Sequence, residues 1–485
     1  MKRYLLLIAL ASPIAAAAAQ EPIDSVLARF YAARWWQPAW LAPVGTSPAA
    51  DALLALTATA DRNGLNPADY LIPELESLVY GGRVRADRWR LDSLLTRTFL
   101  TYARDVSHGR VDPGAVDSQW TAAPSRIDLA DLLERALAAD DPEAVLRSIE
   151  PAQVGYLNLR AALWRYRDLA EQGAWPSDLA SRLTVEGYDT TAGIQAAVRR
   201  FQALHGLVPD GKVGPVTRAA LNVPAAVRAG QITLNLERWR WLPRSLGERY
   251  VVVNSAAFQL DLVENGAVTF STRAVVGRPD WPTPIVSSRA THIVFRPVWR
   301  VPRAIAAQEL LPLIRRDPTY LARAGIRVFG DSSRNGAELN PRTIDWHAVT
   351  ESTFAYHLAQ EPGLDNPLGA MKLVFWTPFS VFIHDTPIRS SFKELWRALS
   401  HGCVRIEDAP SLAARLLPSW PADSLHAALS TGRQRWVQLA EPIGVHLVYW
   451  STWVTEEGLV AFGADPYGWD AKLARALEPQ GALIP

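Results

Sequence analysis

The chain contains a single cysteine, Cys403, inside the run SHGCVR at residues 400–405. One cysteine cannot form a disulfide within the chain, so two interpretations remain. A free cysteine is often a small buried hydrophobic residue. A thiol with histidines nearby, here His401 and His384, can instead lose its proton and attack an electrophile, as an activated thiolate does. We predict that Cys403 is a nucleophile.

His384 is the predicted general base. It lies 19 residues before the thiol, at the end of an apolar run and before a turn that begins at Asp385. A thiol of ordinary pKa, about 8.5, is only slightly ionised at neutral pH, so an imidazole must accept its proton and later return it to the leaving group. The Asp385 side chain is an alternative third member of this group. No His-x-x-x-His or Cys-x-x-Cys cluster accompanies the nine histidines, so we predict neither a metal nor another cofactor.

The first nineteen residues have the pattern of a secretory signal peptide. A basic start is followed by an apolar stretch and then by alanines up to Ala19, where we predict cleavage; an uncleaved anchor is the alternative. No later segment of the sequence is apolar over a length that would cross a membrane. Oxidising compartments favour paired cysteines, so an unpaired cysteine in an exported protein is expected to be either buried or functional.

Composition excludes one class of partner. The 50 basic and 49 acidic side chains give a formal charge of +1, so the chain lacks the basic footprint of a nucleic-acid binder. Its length predicts more than one domain. Residues 20–185 are rich in Ala, Leu and Arg at helical spacing, with Asp51 and Asp128 as predicted N-caps, and this indicates a helical scaffold domain.

A compact helical unit is predicted at residues 186–223. Apolar residues recur at three- and four-residue steps from Ile194 to Leu204, a glycine follows, and Pro215 opens a second helix after a turn. The unit resembles the peptidoglycan-binding type 1 domain; a small helical bundle with no ligand is the alternative. The residues that carry the resemblance as a binding module are Phe201, Gln202, His205, Asp210 and Gly211.

After a predicted linker at 224–249, the sequence pattern changes from helical spacing to runs typical of strands. Residues 250–418 contain β-branched and aromatic runs with a hairpin turn at 264–266, and they form the predicted β domain. A segment at about 300–349, partly of helical spacing, is predicted to be a capping insertion. Residues 419–485 are predicted to be a C-terminal extension that packs on the catalytic or scaffold domain.

The motif that ends in SHGCVR resembles the catalytic domain of the L,D-transpeptidases, the YkuD family. The family signature is a histidine, a spacer, then Ser/Thr-His-Gly-Cys, a hydrophobic residue and Arg or Asn, and every fixed position matches. The runs 276–284 and 298–302 resemble the large Gram-negative subtype. The resemblance implies an α+β multidomain fold, with a helical N-terminal scaffold, a three-helix peptidoglycan-binding module and a mostly-β catalytic domain with an inserted cap. One departure is Arg296, where the family has Asn.

The resemblance also implies roles for individual residues. The backbone carbonyl of Asp385 would orient His384, and the N–H groups of Gly402 and Cys403 would form an oxyanion hole. Other residues would bind substrate or position the catalytic loop. These are Ser400, His401, Arg405, Trp299 and Met371.

The implied activity is peptidoglycan L,D-transpeptidation in the periplasm. Cys403 would attack the third residue of a tetrapeptide stem, release the terminal D-alanine and pass the acyl group to a second stem as a 3-3 cross-link. An L,D-carboxypeptidase, or an enzyme that attaches proteins to the wall or detaches them, would use the same residues. A non-catalytic wall-binding protein is a more remote alternative. The expected partners are peptidoglycan stems and glycan, with no nucleic acid and no membrane span after cleavage.

Overall fold

A computed structural model describes residues 21–80, 87–122, 126–330 and 336–478. The predicted signal peptide and its cleavage point lie outside these residues. The chain divides into two compact units, one of residues 1–110, 123–152 and 239–244, the other of residues 111–122, 153–238 and 245–485.

Helices make up most of the first half of the described chain, and six more lie in its second half. They are α1 (Ile23–Ala33), α2 (Pro48–Ala58), α3 (Pro73–Tyr80), α4 (Arg88–His108), α5 (Pro113–Val116), α6 (Leu129–Ala139), α7 (Pro142–Arg147), α8 (Val154–Glu171), α9 (Leu179–Val185), α10 (Ile194–Leu204), α11 (Pro215–Leu221), α12 (Ala225–Arg240), α13 (Arg303–Ile305), α14 (Leu311–Arg316), α15 (Tyr320–Arg323), α16 (Ala409–Leu416), α17 (Ala422–Ser430) and α18 (Trp469–Leu477). A π-helical turn, Ala306–Leu310, joins α13 to α14.

Strands lie in the second half. They are β1 (Arg249–Asn254), β2 (Gln259–Glu264), β3 (Ala267–Gly277), β4 (Val286–Phe295), β5 (Trp299–Arg300), β6 (Ile326–Phe329), β7 (Glu338–Leu339), β8 (His357–Gln360), β9 (Met371–Phe375), β10 (Ile383–His384), β11 (Ala398–Ser400), β12 (Val404–Ile406), β13 (Arg435–Val448), β14 (Thr452–Val454) and β15 (Val460–Phe462).

The first unit is helical, as predicted, and its apolar residues form one buried core under α1–α4, α6 and α7. Asp128 caps α6, because its carboxylate accepts hydrogen bonds from the N–H groups of Ala130 and Asp131. The other predicted cap is wrong: α2 begins three residues before Asp51, and Ser47 caps it. Pro48 in the first turn moves the helix start, since proline suits that position.

The predicted binding module forms a small helical cluster of α9, α10 and α11 in the second unit. Val198, Phe201 and Leu204 on α10 pack with Leu221 of α11 in a buried core. That core also contains Leu459 and Ala461 from the C-terminal part of the chain. Gln202 on α10 holds the turn that follows, and its side chain contacts Asp210, Gly211, Lys212 and Thr217. The turn is therefore fixed by one buried amide.

The second half of the described chain is built on one large sheet with the strand order β11-β3-β12-β10-β9-β4-β13-β1-β2. A further pairing of β2 with β3 closes this sheet on itself. The inward residues of these strands form a single buried core. Side chains alternate along each strand, so the residues between the core positions lie on the outer face of the sheet.

The sheet differs from the predicted domain division at one place. Strand β13 lies between β4 and β1, antiparallel to the first and parallel to the second. Residues 435–448 are thus part of the sheet, whereas the predicted boundary at 418 places them in an extension packed outside it. Its partners β1 and β4 lie much earlier in the chain, so local sequence pattern does not reveal these pairings.

The inserted segment has its own small sheet, β5-β8-β6-β7, and its own apolar core with α14 and α15. It runs from Trp299 to Gln360, and so ends later than the predicted 300–349. The fold class is as predicted: a helical N-terminal region, a small helical module, and a mostly-β domain with an insertion. Within the described residues, we find no helix with the length and apolar character of a membrane span.

Candidate active site

The site is built on three neighbouring strands. Strand β10 lies between β9 and β12, and His384 is directly opposite Lys372 on one side and Arg405 on the other. The residues that alternate with them, such as Leu373 and Ile383, point into the core. Lys372, His384 and Arg405 therefore form a row on the outer face of the sheet, because opposite residues of paired strands share a face.

Cys403 comes one residue before β12. Since Ile383 is opposite Val404, the thiol is level with Phe382 and stands diagonal to His384. Because side chains alternate along each strand, the imidazole of His384 and the thiol of Cys403 lie on the same face of the sheet. The Val404 N–H donates to the Phe382 carbonyl over 2.9 Å, and this bond fixes the two segments against each other.

The His384 ring is buried and held by its own segment. Its Nδ1 lies 2.5 Å from the backbone oxygen of Asp385, to which it donates a hydrogen bond as the N–H tautomer. This leaves Nε2 as the basic nitrogen. Burial, aided by the charges of Arg405 and Lys372, lowers the pKa of His384 to about 3. The ring is neutral at physiological pH and able to accept a proton.

The Asp385 carboxylate is engaged elsewhere. One oxygen accepts the Ala370 N–H at 2.8 Å, and the other pairs with the Arg389 guanidinium at 2.6 Å. The side chain thus anchors the loop 369–371 and the start of the next turn. Its main-chain carbonyl, not its carboxylate, meets the imidazole.

The thiol of Cys403 has a raised pKa, because burial outweighs the Phe382 N–H and the charges of Arg405 and Lys372 that favour the thiolate. A raised pKa for the thiol and a lowered one for His384 leave both groups neutral in the free protein. The sequence pattern pointed to an activated thiolate. In the structure, the thiol instead rests in its protonated form near a neutral imidazole.

The catalytic loop is pinned through its carbonyl groups. The Ser400 hydroxyl donates to the Cys403 carbonyl at 2.5 Å, and the Thr283 hydroxyl donates to the Gly402 carbonyl at 2.8 Å. Gly402 has φ +94°, a conformation that favours glycine. In the described part of the chain, neither the Gly402 nor the Cys403 N–H donates a hydrogen bond. Both N–H groups are available to a developing oxyanion.

The His401 side chain contacts the inserted segment. Its Nε2 donates to Glu309 in the π-helical turn, and the same carboxylate lies 3.4 Å from Arg278. The Trp281 ring packs edge-on against the His401 ring at 4.8 Å. The sequence analysis missed Glu309 and Arg278, since nothing in their local pattern links them to residue 401.

The remaining predicted residues have varied surroundings. The Met371 side chain is fully buried in the core, and its backbone oxygen accepts the Asp385 N–H at 2.9 Å. Trp299 lies on β5 and packs against the core of the insertion. The Arg405 Nε is buried and has no hydrogen-bond partner.

Arg296, the departure from the family pattern, has φ +48°. Its N–H donates to the Ala370 carbonyl at 2.8 Å and so holds the end of β4 to the loop that enters β9. Asparagine is several-fold enriched in this left-handed region, so the backbone at residue 296 suits asparagine better than arginine.

The residues predicted for the binding module serve its internal structure. Phe201 and His205 stack at 3.7 Å, and His205 Nδ1 contacts the Phe201 carbonyl at 2.8 Å. Burial lowers the pKa of His205 to about 3. Asp210 and Gly211 form the turn that Gln202 holds. Phe201, Gln202 and His205 are buried, so a ligand would contact their neighbours.

Lys372 is the site residue that sequence analysis should have noticed. It is the single charged residue in the apolar run Met371–Phe375, and such a residue on a buried strand calls for an explanation. Among the described residues, no group of three or more His, Cys, Asp or Glu is placed to hold a metal ion.

Comparison with known proteins places this site in a family. Residues 248–423 match the family model described as the L,D-transpeptidase catalytic domain, residues 184–221 a "Putative peptidoglycan binding domain", and residues 25–163 a scaffold domain. A "Putative L,D-transpeptidase" of Haemophilus influenzae is 26% identical over 302 residues, which are 62% of this chain. The match spans 58% of that relative's own length.

Two solved structures are also similar. An L,D-transpeptidase from Mycobacterium smegmatis is 14% identical over 41% of this chain and 58% of its own, with a TM-score of 0.20. One from Xylanimonas cellulosilytica is 18% identical over 56% of this chain and 94% of its own, with a TM-score of 0.19. The family models, and not these two structures, support the assignment of the two domains. The chain thus carries an L,D-transpeptidase catalytic domain of the YkuD family at residues 248–423 and a peptidoglycan-binding domain at residues 184–221.

Proposed function

We propose that the chain is a cysteine-dependent L,D-transpeptidase that forms 3-3 cross-links in peptidoglycan. One observation carries the proposal: His384 donates Nδ1–H to the Asp385 carbonyl and stands diagonal to Cys403, with its Nε2 free to act as a base. A base held in one tautomer beside a thiol is the arrangement that covalent acyl transfer requires.

The first half-reaction follows from these positions. The Cys403 sulfur attacks the carbonyl carbon of the third stem residue while its proton passes to His384 Nε2. The oxyanion is held by the N–H groups of Gly402 and Cys403, and each such donor is worth about 2.7–4 kcal/mol of barrier in a well-studied protease. The imidazolium then gives its proton to the amine of the terminal D-alanine, which leaves, and a thioester remains.

The second half-reaction reverses the roles. The side-chain amine of another stem attacks the thioester, His384 takes a proton from that amine, and the thiol leaves with a proton returned from the ring. An imidazole that is neutral before each attack suits both steps. Water in place of the amine would give an L,D-carboxypeptidase, and a protein in its place would give a wall-attachment enzyme.

The other proposals concern place and substrate. The domain at 184–221 would hold the enzyme on peptidoglycan and raise the local substrate concentration. The relative from Haemophilus influenzae bears the name of the same activity. Action on the wall requires export, so we propose a periplasmic location reached through the predicted signal peptide.

The test is incubation of the purified protein with sacculi, followed by muropeptide mass spectrometry. We expect 3-3 dimers and released D-alanine from the native chain, and neither product from Cys403→Ala or His384→Ala. Lys393→Met, a change at an exposed lysine of the same domain, is the matched control and should leave both products unchanged. Released D-alanine without dimers would contradict cross-linking and identify the carboxypeptidase.

A further inference from the structure

Two cations flank the catalytic histidine. Lys372 and Arg405 are the residues directly opposite His384 on its two neighbouring strands. Both are half-buried on the outer face of the sheet, and the Lys372 ammonium lies 4.4 Å from the centre of the Phe382 ring. Opposite residues of paired strands have Cβ atoms about 4.5–5.5 Å apart, so each cation adjoins the imidazole.

Neither cation has an anionic partner among the described residues. The Arg405 Nε is buried without a hydrogen bond, and the Lys372 ammonium lies over the Phe382 ring. The carboxylates of this region are already engaged: Asp385 with Ala370 and Arg389, and Glu309 with His401 and Arg278.

The thiol does not supply the missing charge either. Burial raises the pKa of Cys403, so the sulfur is neutral in the free protein at physiological pH. Burial also lowers the pKa of Lys372 and of Arg405, because desolvation disfavours the charged form of each side chain. Charged groups that leave water are retained when a partner offsets the cost. An anion from outside the chain would do so.

We propose that Lys372 and Arg405 form a carboxylate-binding subsite beside Cys403, which takes the free terminal carboxylate of the residue that is expelled. This proposal rests on the proposed function for the identity of the donor peptide. The carboxylate of a terminal amino acid lies a few bonds from the scissile carbonyl, and the subsite adjoins the thiol that attacks that carbonyl. The guanidinium gives planar, charge-assisted donors, and the ammonium adds a point charge.

The subsite would favour donor stems that end in a free carboxylate one residue after the scissile bond. A stem that ends one residue after the scissile bond presents its carboxylate to these two cations. A stem capped there as an amide, or continued by another residue, leaves both charges buried without a partner. Lys372 and Arg405 would therefore select donors by the free carboxylate of the leaving residue, while His384 and Cys403 carry out the chemistry.

The test compares two synthetic tetrapeptide donors, one with a free terminal D-alanine carboxylate and one with a terminal carboxamide. Their binding to Cys403→Ala protein is measured by calorimetry, and their acylation of the native chain by intact mass. We expect the free acid to bind and acylate about 10–100-fold better, as for one or two charge-assisted hydrogen bonds.

Lys372→Met should remove most of this preference, with a loss of about tenfold or more on the acid and little change on the amide. Lys372→Arg should keep the preference, and Lys393→Met is the matched control. Thermal unfolding checks that each variant folds. An equal loss on both donors, or equal binding of acid and amide by the native chain, would overturn the subsite.

A second measurement separates the subsite from an effect on the thiol. If Lys372 served to ionise Cys403, Lys372→Met would shift the pH dependence of Cys403 alkylation and slow both donors alike, contrary to the proposal. The failure of the proposed function is distinct. If the free acid binds selectively but does not acylate Cys403, the transpeptidase proposal is wrong and the subsite proposal stands. If neither donor binds, the subsite proposal is wrong.

Discussion

The carboxylate of Glu309 accepts a hydrogen bond from Nε2 of His401, so the inserted segment is tied to the loop that carries the nucleophile. Glu309 lies in a π-helical turn, a local widening that occurs frequently at functional sites. His401 is two residues before Cys403 and makes no bond to the thiol's base. The contact therefore positions the catalytic loop and takes no part in proton transfer.

We expect Glu309→Gln to lower kcat by about two- to fivefold. The Glu309 side chain is 40% exposed, so the loss of its charge is worth well under the energy of a buried pair. The measurement is donor turnover, with thermal unfolding as a check on folding. Glu338→Gln, which removes an exposed ion pair with Arg327 in the same segment, is the control and should have no effect.

A double-mutant cycle tests the link directly. Glu309→Gln and His401→Gln should together cost less than the sum of their separate effects on kcat, by roughly 0.5–1 kcal/mol. Strict additivity would show that the two residues act independently, and the contact would then have no catalytic consequence.

The resting protonation state gives a second prediction. The raised pKa of Cys403 and the lowered pKa of His384 predict that alkylation of Cys403 by iodoacetamide rises steadily as pH increases past neutrality, because thiolate forms only at alkaline pH. His384 stays neutral down to about pH 3, so kcat/KM should have no acid limb between about pH 5 and pH 8. A plateau of alkylation below about pH 7 would instead indicate a thiolate–imidazolium pair.

How far the sequence predicts this fold depends on whether the signal is local. The capping Asp128, the helix from Ile194 and the SHGC motif are local patterns, and the structure has the predicted elements there. The β-branched and aromatic run from residue 250 to 263 forms two strands, β1 and β2, and Phe258 in the turn between them has φ +54°. No glycine or proline marks that turn, so propensity alone does not find it.

The residues of the candidate site also divide into those that a local motif predicts and those that only tertiary packing brings together. His384 and Cys403 are found from a motif within one short stretch. Lys372 becomes a neighbour of His384 only through the register of β9 with β10, and Glu309 reaches His401 from a different segment. Such pairings are set by tertiary packing, which a single sequence does not specify residue by residue.

Arg296 offers a third prediction, on stability. A non-glycine residue in the left-handed region is strained, and Arg296 also buries an Nε without a partner. We expect Arg296→Asn to raise the free energy of unfolding by about 0.5–1 kcal/mol, because asparagine tolerates this conformation. Thermal unfolding measures the change.

The matched control is Arg296→Ala, which removes the same side chain and keeps a residue that disfavours positive φ. The difference between the two variants isolates the backbone preference. If alanine stabilised the protein as much as asparagine, the buried guanidinium would be the cause and the strain argument would fail.

Asp385→Asn decides between two roles for the residue after the base. The amide oxygen of asparagine can still accept the Ala370 N–H, and the ion pair lost with Arg389 involves a guanidinium that is 49% exposed. The backbone carbonyl that holds His384 is unchanged, so we expect kcat within about threefold of the native value. If the carboxylate were the third member of a catalytic triad, the same change would lower kcat by about 10⁴. Donor turnover separates outcomes this far apart, and Arg389→Gln, which breaks the same ion pair from its other side, should match Asp385→Asn if the carboxylate serves only to anchor the loop.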